Sequence, residues 1–477
     1  MADILVLGGG ICGLATGMLL ARDGHEVTLL EQDPAPVPGS IEEAWEEWER
    51  GGVTQFRLAH YLHARASQVI ASELPDIREG LVVADAAEVD HIKRMSAVRP
   101  DVTQQPGDER LATLTARRPT VEQIFGAAAD SEPRLDVRRS VGVAELVTGT
   151  SAADGIPHVI GVRTDDGQEL RADLVVDAMG RRSVLPRWLE QLGCARIEEE
   201  AEDSGFIYYS RFFRSTNGEV PQAIGPFLLA VGSFSILTLP SDQNTWSVTL
   251  FVGSGDQPLK ALRNEPAYTA LIRSLPLHAH WLEGEPITDV LAMGGVIDRY
   301  RRYVNGCAPV VTGVVPVADA WACTNPSLGR GISLGLAHAA LLRDVARSEL
   351  DDPMGFAEAF DEATERELTP WYRNTVGMDR ARMAEMEALR HGLEAPGPAS
   401  FEAGLGASLF RVMAFDPELL RAGLEITGCL ALPEEVFTRP GVIDKVLALA
   451  EANPPQPAPG PSREELLKLL AEPAATA

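Results

Sequence analysis

The stretch that decides the fold is residues 3–31: Asp3-Ile-Leu-Val-Leu-Gly8-Gly9-Gly10-Ile-Cys12-Gly13, an apolar-rich run to Asp23-Gly24, and then Glu26-Val-Thr-Leu-Leu-Glu31. It opens with a short apolar run halted by glycine, as a buried parallel strand is. From Cys12 the residues Leu14, Met18, Leu19 and Leu20 fall near helical spacing, and Asp23-Gly24 ends that helix before a second strand at 26–31. Gly8, Gly10 and Gly13 therefore form a G-x-G-x-x-G pattern between a strand and a helix. The first glycine permits a tight turn, the second lets backbone approach a pyrophosphate, and the third lets helix and strand pack closely. The helix N-terminus offers N–H groups to phosphate. Glu31, about 20 residues on, stands where a carboxylate holds an adenosine ribose. A 2′-phosphate there would meet that carboxylate as a like charge, so a dinucleotide without one is expected.

Outward from this βαβ opening, the bulk properties limit the class of molecule. The chain has 477 residues, 45% hydrophobic and 23% charged, in the range of a globular protein with a sizeable core. Its length suits a large nucleotide-binding domain with dependent lobes. The formal net charge of -27 opposes nucleic acid and anionic membrane as partners. Lys93, Lys260, Lys445 and Lys468 are the only lysines, so arginine supplies nearly all the positive charge. Cys12, Cys194, Cys307, Cys323 and Cys429 are odd in number and scattered, without the paired spacing of a zinc site or redox dithiol, and a reducing cytoplasm is the natural reading. No metal is expected; His278 and His280 have no further ligand spaced near them. Residues 4–21 are apolar but lack a basic start and contain the glycine run, so they read as strand, turn and helix rather than a signal peptide. No other run approaches the roughly 18 apolar residues of a membrane span.

Further along, residues 41–51 carry alternating acid and tryptophan (Glu42, Glu43, Trp45, Glu46, Glu47, Trp48, Glu49), a solvated helix end or an interaction face. A helical stretch at 58–77 and a helix at 120–129 complete an excursion, 41–130, that rejoins the sheet at Leu135. Strand-like runs at 137–146 and 159–163 lead to the strand 174–177. Residues 207–213, 227–239 and 246–252 are rich in aromatic and β-branched residues, as in an antiparallel sheet. A strand at 308–317 and a helix at 331–348 return to the first domain, and helices continue to about 449. Residues 453–461 are a proline-rich linker, and Ser462 with Glu465 forms a capping box for a final helix. The expected class is α/β. Residues 1–204 and 301–350 form a Rossmann-like domain of the glutathione-reductase type, 205–300 an inserted antiparallel-sheet substrate domain, 351–452 a C-terminal helical region, and 453–477 a linker with a terminal helix.

A second motif narrows the chemistry. The strand near 309–317 runs into Ala318-Asp319-Ala320, and then Asn325-Pro326-Ser327-Leu328-Gly329-Arg330-Gly331 opens a helix. Here the sequence resembles the p-hydroxybenzoate hydroxylase type of flavoprotein monooxygenase, over roughly residues 1–350. In that family a Gly-Asp pair is followed by a Pro-x-x-Gly-x-Gly turn. The resemblance implies that Asp319 holds the ribitol of FAD and that Pro326, Gly329 and Gly331 form the turn beside the isoalloxazine. Ala318 replaces the usual glycine. Backbone N–H groups at the helix start would stabilise the negative charge of reduced flavin near N1 and O2. A third family motif reads Asp177-Ala178-Met179-Gly180-Arg181-Arg182-Ser183, without the glycine after the acid, a departure that bears on nicotinamide use more than on FAD. Arg118, followed by Val121 and Glu122, matches the family's arginine that opens a helix near the FAD. Arg57 and His60 match more loosely a segment near the flavin in related oxidoreductases.

The resemblance implies tightly bound, non-covalent FAD and an enzyme that uses NADPH or NADH and O2 to hydroxylate or epoxidise a small aromatic or alkene substrate through a C4a-hydroperoxyflavin. The only Rossmann glycine fingerprint is the one at residues 8–13, which weighs against flavoenzymes with separate FAD and nicotinamide domains. The cofactor performs the bond making, so no acid–base triad need be legible. Tyr208, Tyr209 and Arg211 are substrate-pocket candidates on the antiparallel sheet, with burial in its core as the competing reading. A dehydrogenase or double-bond reductase, similar to geranylgeranyl reductases, and a non-catalytic flavin-bound scaffold are the alternatives. The Trp-x-Trp-x-Ile-Pro signature of flavin halogenases does not occur. A monomer or homodimer is expected.

Overall fold

The computed structural model describes residues 1–306 and 308–471. Five parallel strands form the central sheet, in the order Val314–Pro316, Leu174–Asp177, Asp3–Leu7, Glu26–Glu31, Leu135–Arg139. Strand Asp3–Leu7 occupies the middle because it is apolar on both faces. Ile4 and Val6 enter one core layer with the helices Ile11–Arg22 and Gly331–Glu349, and Leu5 and Leu7 enter the opposite layer with Trp188 and Val311. Each buried leucine or isoleucine contributes about 1.5–3 kcal/mol on leaving water.

Local chemistry divides several stretches that look continuous in sequence. The run at 137–146 is two strands, Leu135–Arg139 and Val143–Thr148, separated by Ser140 at φ 62°. The second pairs with Val159–Thr164 in a small antiparallel sheet. Residues 227–239 form a hairpin, Leu228–Val231 and Phe234–Pro240, turning at Gly232 with φ 50°. The stretch at 308–317 is broken by Gly313 at φ 75°, and only Val314–Pro316 joins the parallel sheet. The helix expected from 58 starts at Ala64 and is interrupted at Leu74-Pro75, where a new helix begins. Residues 41–51 begin with the short helix Ile41–Glu46, which has a solvated face and a buried one. Their glutamates are exposed, but Trp45 and Trp48 are buried, Trp45 edge-on to Phe212 and Trp48 edge-on to Phe56.

The antiparallel sheet has the order Leu228–Val231, Phe234–Pro240, Thr245–Gly253, Phe206–Arg214, with Glu285–Pro286 and Leu291–Gly294 both pairing on the outer side of the last. It is latched to the dinucleotide domain by Asp242, whose carboxylate accepts from the Arg117 amide at 2.6 Å, from Arg117 Nη2 at 2.6 Å and from the Thr120 hydroxyl at 2.8 Å. Both ionic partners are fully buried; Arg117 also donates through Nε at 3.0 Å, while its Nη1 has no hydrogen-bond partner among the described residues.

The helix Thr369–Arg390 crosses the edge of this sheet, where Arg382 donates to the carbonyls of Gly232 and Phe234. The proline-rich run at 453–461 does not project. It lays the helix Arg463–Ala471 on the outer face of the sheet, capped by Ser462 and Glu465, with Leu466 and Leu470 among Phe234, Leu259 and Leu271 and Arg463 paired with Asp256. Cys12, Cys194, Cys323 and Cys429 are free, and Cys307 lies outside the described residues. Among the described residues no helix is long and apolar enough to cross a membrane. Leu466→Ala is expected to lower unfolding stability by about 2–4 kcal/mol, the usual effect of emptying a core leucine site, read as a reduced urea midpoint of unfolding.

Candidate functional site

The glycine fingerprint is enforced by contact. A Cβ on Gly13 would lie 2.0 Å from the Gly8 carbonyl oxygen, and one on Gly8, at φ 109°, would lie 2.6 Å from the Ala178 oxygen. Around Gly10, by contrast, a Cβ would meet nothing within 4 Å. The helix Ile11–Arg22 starts there without a side-chain cap and with no acid in its first turn, so its free N–H groups point to an open space.

That space is a cleft between the parallel and antiparallel sheets. Its dinucleotide side carries Gly10, Gly13, Arg118, Asp319, Pro326, Gly329 and Gly331. Gly329 takes φ 66° after the short turn Pro326–Leu328, and this sets the direction in which helix Gly331–Glu349 begins, also uncapped. Asp319 lies at the end of a turn begun by Ala318, which holds φ 52° in place of glycine; the strain costs about 1–2 kcal/mol. The Ala318 amide donates to His338 Nδ1 at 3.1 Å, and burial pushes that histidine down to about 3, so it is a neutral acceptor. Burial also raises the carboxyl of Asp319, while Arg118 and Arg181 oppose that rise. A half-buried acid that lines the cleft fits a ligand that brings hydroxyl donors.

Arg118, the first residue of helix Arg118–Asp130, donates to Glu122 at 2.6 Å and to His60 Nε2 at 3.0 Å. His60 Nδ1 donates in turn to the Leu58 carbonyl, and burial together with Arg118 lowers its pKa to about 3. Arg57 is placed elsewhere: it stacks on Trp45 and donates to the carbonyls of Trp45 and Trp48.

Glu31 sits in a side pocket continuous with the fingerprint turn, accepting from the amides of Gly9 at 2.8 Å and Asp33 at 2.7 Å. Arg50 bridges Glu31 at 3.0 Å and Glu122 at 3.0 Å. Arg50 was not singled out from sequence, because nothing local marks an arginine in a loop that closes on a strand end 19 residues earlier. Arg181, also missed as a site residue, lines the cleft and donates to the Thr54 hydroxyl.

Of the three candidates on the antiparallel sheet, the structure brings only Tyr208 to the cleft. Side chains alternate along strand Phe206–Arg214. Tyr208 shares the cleft face with its cross-strand partners Phe251 and Met293. Tyr209 points the opposite way into the core with Trp246 and Leu271, and Arg211 donates to the Thr288 carbonyl and pairs with Glu265 at 2.8 Å. His278 and His280 each bond a backbone carbonyl, of Pro226 and Gln222.

Comparison with known proteins agrees with this geometry. Residues 3–195 match the family model of the FAD dependent oxidoreductases. Residues 3–195 are thus similar to that family, and the chain has the fold of the flavoprotein monooxygenases. It is similar to Protein Rv3254 of Mycobacterium tuberculosis, 27% identical over 429 residues and 85% of each chain. Among solved structures it resembles PqsL of Pseudomonas aeruginosa, a probable FAD-dependent monooxygenase, with TM-score 0.59 and 16% identity over 82% of this chain and 98% of that one. It also resembles the anhydrotetracycline hydroxylase OxyS of Streptomyces rimosus, with TM-score 0.56 and 17% identity over 90% of this chain and 76% of that one. The Diels-Alderase PyrE3 of pyrroindomycin biosynthesis shares the fold, with TM-score 0.56 and 17% identity over 90% and 82%.

Asp177, the acid of the third motif, does not line the cleft. It is fully buried and shapes the loop after it, accepting from the Met179 amide at 3.0 Å and from the Ser183 hydroxyl, so that Ala178, Gly180 and Arg181 face the cleft. Burial raises its carboxyl from 3.8 to about 6. The folded state therefore prefers the protonated acid: its contribution is complete below pH about 4 and is lost as pH rises through about 6. Asp177→Asn, which cannot ionise, is expected to reduce the loss of unfolding free energy between pH 5 and pH 8 by roughly 1–2 kcal/mol, measured by urea denaturation at both pH values.

Proposed function

We propose that the chain is an FAD-dependent monooxygenase that takes electrons from NADPH or NADH and uses O2 to hydroxylate or epoxidise a small organic substrate. The carrying observation is one cleft in which an uncapped fingerprint helix, the half-buried Asp319 and the Pro326–Gly331 turn face an apolar sheet. In this reading residues 1–204 with 301–350 hold the cofactor, and 205–300 supply the substrate side.

The roles of the chain's own groups follow. Amides at the start of helix Ile11–Arg22 receive the diphosphate, with Arg118 and Arg181 adding positive charge. Asp319 accepts from ribitol hydroxyls, and Glu31 with Arg50 closes the adenosine end. Amides opening helix Gly331–Glu349 face the ring edge that becomes negative on reduction. Phe251, Met293 and Leu237 keep water from the reacting face. Bound FAD would supply electron transfer from the nicotinamide and activation of oxygen.

Asp319→Ala is expected to weaken FAD retention by about 1.5–3 kcal/mol, roughly 10- to 100-fold, the worth of a hydrogen bond to a charged acceptor. Flavin content per chain after dialysis reads it, and unchanged retention would remove Asp319 from the site. The activity is tested by screening organic ligands for those that accelerate bleaching of the flavin by NADPH or NADH. With such a ligand, O2 consumption should match nicotinamide oxidation and an oxygenated product. Flavin reduction with no oxygen incorporated would favour the dehydrogenase reading. A flavin bleached by neither nicotinamide under any ligand would leave a flavin-bound scaffold, or a non-redox catalyst of the kind for which PyrE3 is a precedent on this fold.

A further inference from the structure

The turn that opens helix Gly331–Glu349 is bolted at both ends to helix Thr369–Arg390, which lies outside the segment similar to the FAD dependent oxidoreductases. Trp371, Thr375 and Asp379 stand four residues apart on that helix and so share one face, with Asn374 beside them. At one end of the turn Arg330 lies over the Trp371 ring at 5.2 Å and donates through Nη1 to Asn374 Oδ1 at 2.8 Å and to the Thr375 hydroxyl at 3.0 Å. At the other end Asp379 accepts from the Ser327 hydroxyl at 2.5 Å and from Asn325 Nδ2 at 3.1 Å. All of these side chains except Asn374 are buried.

The chemistry of the second attachment is conditional on charge. The Asn325 amide donates to Asp298 at 2.5 Å, and Asn325 Oδ1 is taken by the Tyr208 hydroxyl at 2.6 Å, so Asn325 faces Asp379 with its donor end. An ionised carboxylate only accepts, and Asp379 meets one donor on each oxygen. A proton on either oxygen would set donor against donor and release one of the two bonds. The charge of Asp379 also favours the buried Arg330 guanidinium, whose own bonded acceptors are neutral.

Burial, with Asp298 across Asn325, pushes the Asp379 carboxyl up to about 6, against the bonds from Ser327 and Asn325 and the charge of Arg330. Burial raises Asp298 too, with Glu202 and Asp203 adding to the rise and Arg380, paired with Glu202, opposing it. Burial holds Tyr208 and Cys429, the thiol beside Arg330, in their neutral forms. His63, which donates to the Leu328 carbonyl at 2.7 Å in the middle of the turn, is pushed down by burial to about 3 and stays neutral.

We infer that Asp379 is a positioning residue for the flavin: its carboxylate holds residues 325–331 from the C-terminal helical region, and this hold makes FAD retention depend on pH. The inference rests on the FAD-binding part of the proposed function and not on its oxygen chemistry. The hold is complete where Asp379 is ionised and is lost as pH falls through about 6. By reciprocity, flavin bound against the held turn favours the ionised acid.

FAD-loaded protein is diluted into flavin-free buffer between about pH 5.5 and 8, and release is followed as the rise of free-flavin fluorescence. Release from the unmodified protein is expected to be about 10-fold faster at the acid end, the effect of one hydrogen bond to a charged acceptor. Asp379→Asn, which cannot ionise, should release flavin fast across the whole range. Ser327→Ala, which removes one of the two donors, should speed release chiefly at the neutral end and flatten the profile. Asp177→Asn changes another buried acid, and Val376→Ala a core residue of the same helix. Both should keep the acid-to-neutral ratio, because a merely structural loss changes the rate and not its dependence on pH. If Asp379→Asn holds no flavin, the Ser327→Ala profile decides. Release independent of pH in the unmodified protein overturns the inference. So does a profile as steep as the unmodified one in Asp379→Asn or Ser327→Ala, which would place the titration elsewhere, as at Asp319. The measurement uses neither nicotinamide nor O2. A protein that releases flavin as expected but oxygenates nothing would refute the proposed activity alone, and one that oxygenates substrates with pH-independent retention would refute this inference alone.

Discussion

Everything in the cleft depends on a close approach of three backbones that only glycine permits. Strand Asp3–Leu7 turns at Gly8 against the loop that follows Leu174–Asp177, and helix Ile11–Arg22 comes down on the Gly8 carbonyl through Gly13. A single methyl group at either position would push the helix off the sheet. That helix has no cap of its own, so its first turn is left to interact with whatever occupies the space in front of it. A second crossing repeats the device: a Cβ on Gly335 would strike the Cys12 sulfur at 2.3 Å, so the helices starting at residues 11 and 331 are locked side by side. The two N-termini are thereby aimed into one volume.

The buried Arg117–Asp242 pair closes that volume from the other side. Arg117 ties the antiparallel sheet to the start of helix Arg118–Asp130, while its neighbour Arg118 turns into the cleft toward His60 and Glu122. Two adjacent arginines thus do different work because the helix begins between them: Arg117 stands before the first turn in extended backbone, and Arg118 is the first residue within it. Charge on the cleft floor and apolarity on its ceiling are a direct outcome of this two-sided construction.

How much of this could be read in the sequence depends on whether the determinant is local. The glycine fingerprint, the order of strand, helix and strand, and the turn from Asp319 to Gly331 are set by residues close in sequence, and their spacing is visible. The phase of a strand is not. Ile207-Tyr208-Tyr209-Ser210-Arg211 alternates between two faces that are both buried, so burial pattern gives no hint that Tyr208 faces the cleft while Tyr209 and Arg211 face the core and the outer helices. Trp45 and Trp48 look like surface residues because acids surround them, yet Trp48 folds back on Phe56 and Arg50 in its own loop, and Trp45 is covered by Phe212 and Arg117 from distant parts of the chain. Arg50 and Arg181 owe their placement to tertiary closure, and the break at Ala318 shows a glycine position tolerated by alanine, its amide held by His338.

The helix Arg463–Ala471 covers a sheet made from residues 206–294, and this separation has a consequence for how the molecule matures. As the chain leaves the ribosome, the dinucleotide sheet gains its last strand, Val314–Pro316, long before the outer face of the antiparallel sheet receives Leu466 and Leu470. Domains form as units during synthesis, and exposed apolar surface waiting for a late partner is where nascent chains associate wrongly. The parallel sheet is therefore completed early, and the antiparallel sheet remains the vulnerable half until helix Arg463–Ala471 arrives.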